Sequence, residues 1–322
     1  MPYNSLISRT DAAALIPQEV SNEIIKAVPD RSAVMQLARR LPNMSSNQKR
    51  MPVMSALATA YFVSGDTGTK QTTEVNWENK YIDAEELAVI VPIPEAVLDD
   101  AEFDIWGEVR PSLEEAFGLA IDQAVMYGTN IPASWTTDLG AAGLIAVVAA
   151  ASQNVSAAAY SDLYEAILGE TAAGVAGLFG QVEADGFMVS GSIASLAMRA
   201  KMRNMRSADG VPLLQNLPNQ PGSYTLDGAP CLFPLNGAVN STYYLLSGQW
   251  NQLVYSIRQD ITYKVLTEAV IQDGAGNIVY NLAQQDMVAL RAVMRLGFAL
   301  PNPINRIQGT AANRCPFAYL TA

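Results

Sequence analysis

The stretch Asp104–Gly128, DIWGEVRPSLEEAFGLAIDQAVMYG, constrains this chain more than any other. Its apolar residues Ile105, Trp106, Val109, Leu113, Phe117, Ala120, Ile121, Ala124 and Val125 recur at spacings of three and four. On an α-helix they form one stripe, leaving Glu108, Glu114, Glu115, Asp122 and Gln123 off it. Proline inside a helix loses a backbone bond and crowds the preceding turn, so Pro111 predicts a short lead-in helix before a long one. Ser112 and Glu115 have capping-box spacing near that second start. Gly128 ends the helix, because glycine enters the left-handed region without a Cβ penalty. By itself this is a core helix; its neighbours give it meaning.

Only 16% of the 322 residues are charged, against roughly a quarter in an ordinary soluble domain. Such a surface fits a chain largely covered by copies of itself. The formal net charge of -11 argues against nucleic-acid binding by bulk electrostatics. Acid is concentrated between Glu74 and Asp122, whereas the first fifty residues carry Arg9, Lys26, Arg31, Arg39, Arg40, Lys49 and Arg50. A basic arm and an acidic centre would attract each other between subunits; two ordinary solvated faces are the simpler reading. Cys231 and Cys315 lack metal-site spacing and read as reduced, buried thiols. MPYNSLISRTDAAA has no apolar signal-peptide core. The most apolar run, Leu139–Ala151, falls short of the ~20 residues a bilayer span needs.

Along the chain, IPQEVSNEIIKAV predicts a docking helix at the end of an arm. Ser32 then caps SAVMQLARRL, which Pro42 stops. Residues 51–63 and 73–93 read as extended, with Gly65, Asp66 and Gly68 between them as turn-formers. Two strands of about twelve residues would reach roughly 35–40 Å. A two-stranded ribbon of that length is barely stable alone and needs a neighbour to lie on. GLIAVVAAA reads as a strand or buried segment, and Tyr160–Leu168 as a helix capped by Ser161 or Asp162. A strand at 187–190, a helix at 192–206 and a turn at 207–210 form a compact unit. DITYKVL (260–266) and NIVYNLA (277–283) flank a turn at Asp273–Gly276, MVALRAVMRLGFALP (287–301) is a strand or short helix, and PFAYL closes the chain.

Histidine is absent, which removes Ser-His-Asp and Cys-His catalysis and histidine metal sites. No phosphate loop occurs, and DGAGN lacks the strand-then-helix context of a dinucleotide fingerprint. Glu95, Asp99, Asp100, Glu102 and Asp104 could bind a divalent cation or serve as acid and base. Acids before a helix more simply favour its positive end. Arg199, Arg203 and Arg206 fall on one predicted helical face near Lys201, fit for an acidic neighbour or a phosphate backbone, or simply solvated.

Taken in order, these pieces resemble the major capsid protein of tailed bacteriophages, the Hong-Kong-97-type fold. The resemblance rests on LIPQEVSNEIIKAV (15–28), ATAYFV before a Gly-rich tip, ELAVIVPIPEAVLDDAEFDI (86–105), AIDQAVMYGTNIPASW (120–135), FMVSGSIASLAMRAKMRNMRSADGVPLL (187–214) and MVALRAVMRLGFALP (287–301). It covers almost the whole chain and implies an α+β fold. An N-terminal arm (1–30) and an extended loop (50–92) would accompany a peripheral domain on a spine helix (31–49, 93–135 and 258–295). An axial α/β domain would take 136–257 and 296–322.

The implied function is self-assembly as hexamers and pentamers into an icosahedral virion shell around double-stranded DNA, without sequence specificity. Assembly in the host cytoplasm with scaffolding, portal and decoration proteins goes with it; no membrane, cofactor or enzymatic activity does. Subunit contacts would come from the loop tip (Gly65, Asp66, Thr67, Gly68, Thr69, Lys70) and the arm (Arg9, Lys26, Arg31). The spine helix would bury Leu113, Phe117, Ile121 and Val125. The arm motif near residue 15 leaves no room for a long scaffolding segment, which implies a separate scaffolding protein. Some members join a loop lysine to a neighbour's asparagine with help from a glutamate. Lys70, Lys80, Asn277 and Asn281 are present, but no glutamate matches, and no catalytic residue is assigned. The alternatives are an encapsulin, a cellular compartment of the same fold, and a carboxylate- or metal-dependent hydrolase using the 95–104 cluster.

Overall fold

Ser32 caps the first helix as its position predicts: its hydroxyl accepts from the Met35 N–H at 3.1 Å, and α1 (Ala33–Leu37) follows. In this computed structural model the structure describes residues 32–63, 68–100, 104–171, 174–206, 210–211, 214–216, 224–240 and 242–321. The predicted arm helix lies outside them. The helix α1 is shorter than SAVMQLARRL suggested, because Arg39–Arg40 (β1) turns extended to pair with residues 254–255.

The ribbon is β2 (Gln48–Met54) against β3 (Trp77–Asp83), paired from Gln48–Asp83 to Met54–Trp77. Each strand has 7 residues, fewer than predicted. Beyond them the two limbs carry no ladder. They are held opposite by the Thr59 N–H donating to Thr73 Oγ1 (3.0 Å) and the Tyr61 hydroxyl donating to the Gln71 carbonyl (2.8 Å). The stretch 73–93 is two elements: buried Ala84 separates β3 from β4 (Glu85–Pro94), which joins a different sheet.

After α2 (Glu95–Asp100), Ile105–Tyr127 forms one helix, α3, with Pro111 inside it. The predicted break does not occur. One lost backbone bond near the N-terminal end is offset by burying Leu113, Phe117, Ile121 and Val125 farther along. Gly128 stops α3 at φ 69°, its N–H donating to the Ala124 carbonyl. A Cβ there would meet the Ala141 carbonyl oxygen at 2.3 Å, so the next loop packs directly on this turn. That loop carries α4 (Thr136–Leu139) and α5 (Leu144–Ala150). GLIAVVAAA is therefore a helix rather than a strand, since Leu144, Ile145 and Val148 reach the core from one stripe.

Next come β5 (Asn154–Ser156), α6 (Leu163–Ile167) with Asp162 as its cap, and α7 (Leu178–Ala184). The strand of the 187–206 unit is β6 (Gly191–Ala194), after the predicted FMVS, and α8 is Leu196–Arg203. Small residues suit this central strand: all four are buried, and Ser192 Oγ lies 2.8 Å from Ser247 Oγ. The chain continues with β7 (Leu214–Asn216), β8 (Tyr224–Leu226), β9 (Ala229–Leu232), β10 (Tyr243–Gly248) and β11 (Val254–Leu266). It ends with β12 (Val270–Gln272), β13 (Ile278–Asn281), β14 (Met287–Ala299) and β15 (Phe317–Thr321). Residues 260–266 do not pair with 277–283; β11 runs along β14, and β12 pairs with β13 across the Asp273–Gly276 turn.

Among the described residues one sheet has the order β5-β15-β10-β6-β9-β8-β7 and another β1-β11-β14-β4. A continuous core joins α3 and α5 to both sheets through Ile121, Val125, Leu144, Trp250, Phe298 and Phe317. A second cluster packs α6, α7 and α8 under the larger sheet.

Candidate functional site

The ribbon buries Ile82 at its root but leaves several large apolar residues exposed. Phe62 is 105% exposed and Trp77 67%, with Tyr61, Val63, Met54 and Tyr81 also exposed. Two short strands cannot bury such side chains against each other. Exposed apolar side chains of this size are what a partner surface would cover.

Its root, by contrast, is fixed. The Trp135 indole N–H donates to the Asp83 carbonyl at 3.0 Å, and Ser134 Oγ donates to Glu85 Oε1 at 2.6 Å. A Cβ on Gly297 of β14 would meet the Asp83 carbonyl oxygen at 2.4 Å, so only glycine lets β3 approach so closely. Lys80 pairs with Asp138 of α4 at 3.6 Å. Burial raises the Asp138 carboxyl above its ordinary value, and the Lys80 charge partly opposes that. On the other side, the Ile304 N–H reaches the Met54 carbonyl at 3.4 Å, and Arg306 donates to the Ala58 carbonyl at 2.7 Å. The loop bearing them is organised by buried Arg314, which donates to Asn302 Oδ1 and to the Asn302 and Gln308 carbonyls.

The start of α1 is fixed as well. Asp122 is 0% exposed, although the helical pattern placed it off the apolar stripe. Its carboxylate accepts from Ser32 Oγ (2.5 Å), the Ala33 and Val34 N–H groups (3.0 and 3.1 Å) and Asn236 Nδ2 (3.0 Å). Four donors satisfy this buried carboxylate. Burial raises the Asp122 carboxyl, and these bonds oppose the shift.

The chain matches a known family: a model of the phage capsid family fits residues 12–307. The chain belongs to that family. It is 25% identical over 282 residues to the major capsid protein of Staphylococcus phage 80alpha, covering 86% of this chain and 79% of that protein. A solved structure from Microbacterium phage Oxtober96 superposes with TM-score 0.80 at 34% identity, over 98% of this chain and 99% of the other. One from Mycobacterium phage Bobi gives 0.77 at 30% identity, over 98% and 99%. The fold is the α+β Hong-Kong-97 type, and the family is a structural, virion class rather than an enzyme class.

In this capsid fold, Leu113 and Phe117 pack against Leu290 and Ala292 of β14, while Ile121 and Val125 enter the central core. Gly68 is half-buried, and Thr69 and Lys70 are exposed. Gly65, Asp66 and Thr67 lie outside the described residues, as do Arg9, Lys26 and Arg31. The three arginines do not share one helical face. Asn204 ends α8, so Arg206 lies beyond it. Arg199 stacks 4.4 Å over the Tyr224 ring and donates to its hydroxyl, which leaves Arg203 and Arg206 exposed.

Among the 95–104 acids, Glu95, Asp99 and Asp100 sit on α2, Asp104 starts α3, and Glu102 lies outside the described residues. Among the described residues no group of three or more His, Cys, Asp or Glu is placed to hold a metal, and no helix is long and apolar enough to cross a membrane. Cys231 and Cys315 are buried, their thiols pushed up to about 12. Sequence reasoning missed Asp122, Trp135 and Asp138. No local pattern marks them, because their partners are distant in sequence.

Proposed function

We propose that copies of this chain assemble as hexamers and pentamers into a closed icosahedral shell that encloses double-stranded DNA. One observation carries the reading: the β2–β3 ribbon stands on a rigid root yet exposes Phe62, Trp77 and their apolar neighbours. The ribbon lies across an adjacent subunit, with Gly65–Lys70 as contact tip. The N-terminal arm, with Arg9, Lys26 and Arg31, clamps another, and its root is tied to α3 through Asp122. The arm (1–30), loop (50–92), peripheral domain on α3 and axial domain on the larger sheet act as separate mechanical parts. A scaffolding protein, a portal and a decoration protein complete the particle, which assembles in the host cytoplasm. Arg203 and Arg206 provide a basic face for an acidic partner.

Electron microscopy of the expressed chain tests this. Closed particles are expected from the unmodified protein, and soluble subunits that fail to close from a deletion of Gly65–Lys70. Normal particles from that deletion would contradict the ribbon's role.

A further inference from the structure

A fully exposed aromatic residue, Phe62, and a cavity at the ribbon's root are held apart within one chain. The cavity, about 200 Å³, opens between the last turns of α3 and the start of β4. Leu87, Ala120, Ala124, Trp135 and Leu296 wall it, and Thr129 stands at its edge. The wall is held in place: Trp135 is tied to the Asp83 carbonyl and packs edge-on against Phe298 with ring centroids 5.4 Å apart. The volume lies below the roughly 300–1,000 Å³ of drug-sized sites and suits a single side chain.

Among the described residues, Phe62 is the most exposed large apolar side chain. Between it and the root stands the whole Met54–Trp77 to Gln48–Asp83 ladder, about 20 Å at strand rise. The Thr59–Thr73 and Tyr61–Gln71 contacts keep the two limbs together beyond that ladder. Phe62 therefore stays away from the cavity of its own chain.

We infer that Phe62 of one copy seats in the α3–β4 cavity of the next copy. The inference rests on the assembly reading above and gives its ribbon a specific address. An aromatic anchor in a preformed apolar pocket with polar residues at the edge is the arrangement that concentrates binding energy at interfaces. A tip-to-root contact is heterologous, so its repetition closes a ring when the rotation between copies closes. Glu85 and Glu86 are among the cavity's lining residues, Glu85 accepting from Ser134 and Glu86 paired with Arg295, so among the described residues the pocket presents no unpaired cation to draw a charged occupant.

The test combines Phe62→Cys with Thr129→Cys in shells oxidised with copper–phenanthroline and run on non-reducing gels. Cys231 and Cys315 are buried and supply no background. The expected result is a ladder of linked chains up to pentamers and hexamers, with each single variant remaining monomeric. Normal shells whose doubly substituted chains stay unlinked would overturn this contact while leaving the assembly reading intact. No shells from the unmodified chain would overturn both. A second variant, Phe62→Asp, alters a side chain that is fully exposed among the described residues. Its melting temperature should match the unmodified subunit, with shell yield down about ten-fold or more. Undiminished yield would overturn the contact.

Discussion

The body and the ribbon use the same kinds of residue to opposite ends. In the body, Trp250 is 1% exposed; its indole N–H donates to the Gly191 carbonyl at 2.9 Å and its ring meets Phe317 edge-on. In the ribbon, Trp77 points into solvent. Burial decides what each contributes: the first tryptophan stabilises the subunit, whereas the second is available only to something outside it. The subunit thus uses one tryptophan in folding and leaves the other uncovered.

Substitutions can break or sharpen that contrast. The largest effect on the subunit belongs to Trp250→Ala, expected to cost about 3–5 kcal/mol by chemical denaturation. Gly297→Ala, where β14 meets the ribbon root, should cost about 1–3 kcal/mol through forced displacement of β3. Asp122→Asn comes next, at about 1–3 kcal/mol near neutral pH, because an amide N–H₂ must face one of four donors. Its effect depends on pH. Burial places the folded-state pKa of Asp122 above its unfolded value, so its stability contribution is fully present below the unfolded pKa and is lost as pH rises through the folded one. The unmodified subunit should therefore gain on the Asn variant as pH falls, as read from paired thermal melts. Trp77→Ala should shift subunit stability by less than about 0.5 kcal/mol while reducing shell yield in sedimentation. A ribbon tryptophan that cost as much as Trp250 would erase the distinction.

Local chemistry made much of the fold legible. Ser32 and Asp162 cap helices as their positions predict, Gly128 stops α3, and the 3.6-residue period marks the side of α3 that meets the core. What failed depended on tertiary partners. Pro111 stays helical because packing later in α3 outweighs one lost bond. The alanine-rich segment at 144–150 becomes a helix, for its periodicity is too weak to separate the two states until α3 offers it a surface. Strand β6 comes after the apolar FMVS, because a central position between β10 and β9 favours the smaller Gly-Ser-Ile-Ala. For the site, two extended stretches around the turn-formers Gly65, Asp66 and Gly68 marked the ribbon, although its strands are shorter than that pattern predicts. Its root was hidden, since Trp135, Asp138 and Gly297 reach β3 from far along the chain.

Hydrogen–deuterium exchange compared between isolated subunits and closed shells tests the central claim most directly. The ribbon limbs, residues 55–63 and 68–76, should exchange quickly in subunits and about ten-fold or more slowly in shells, with β10 and β14 protected alike in both. Limbs equally protected in the lone subunit would mean that the ribbon is already satisfied by its own body, contrary to this account.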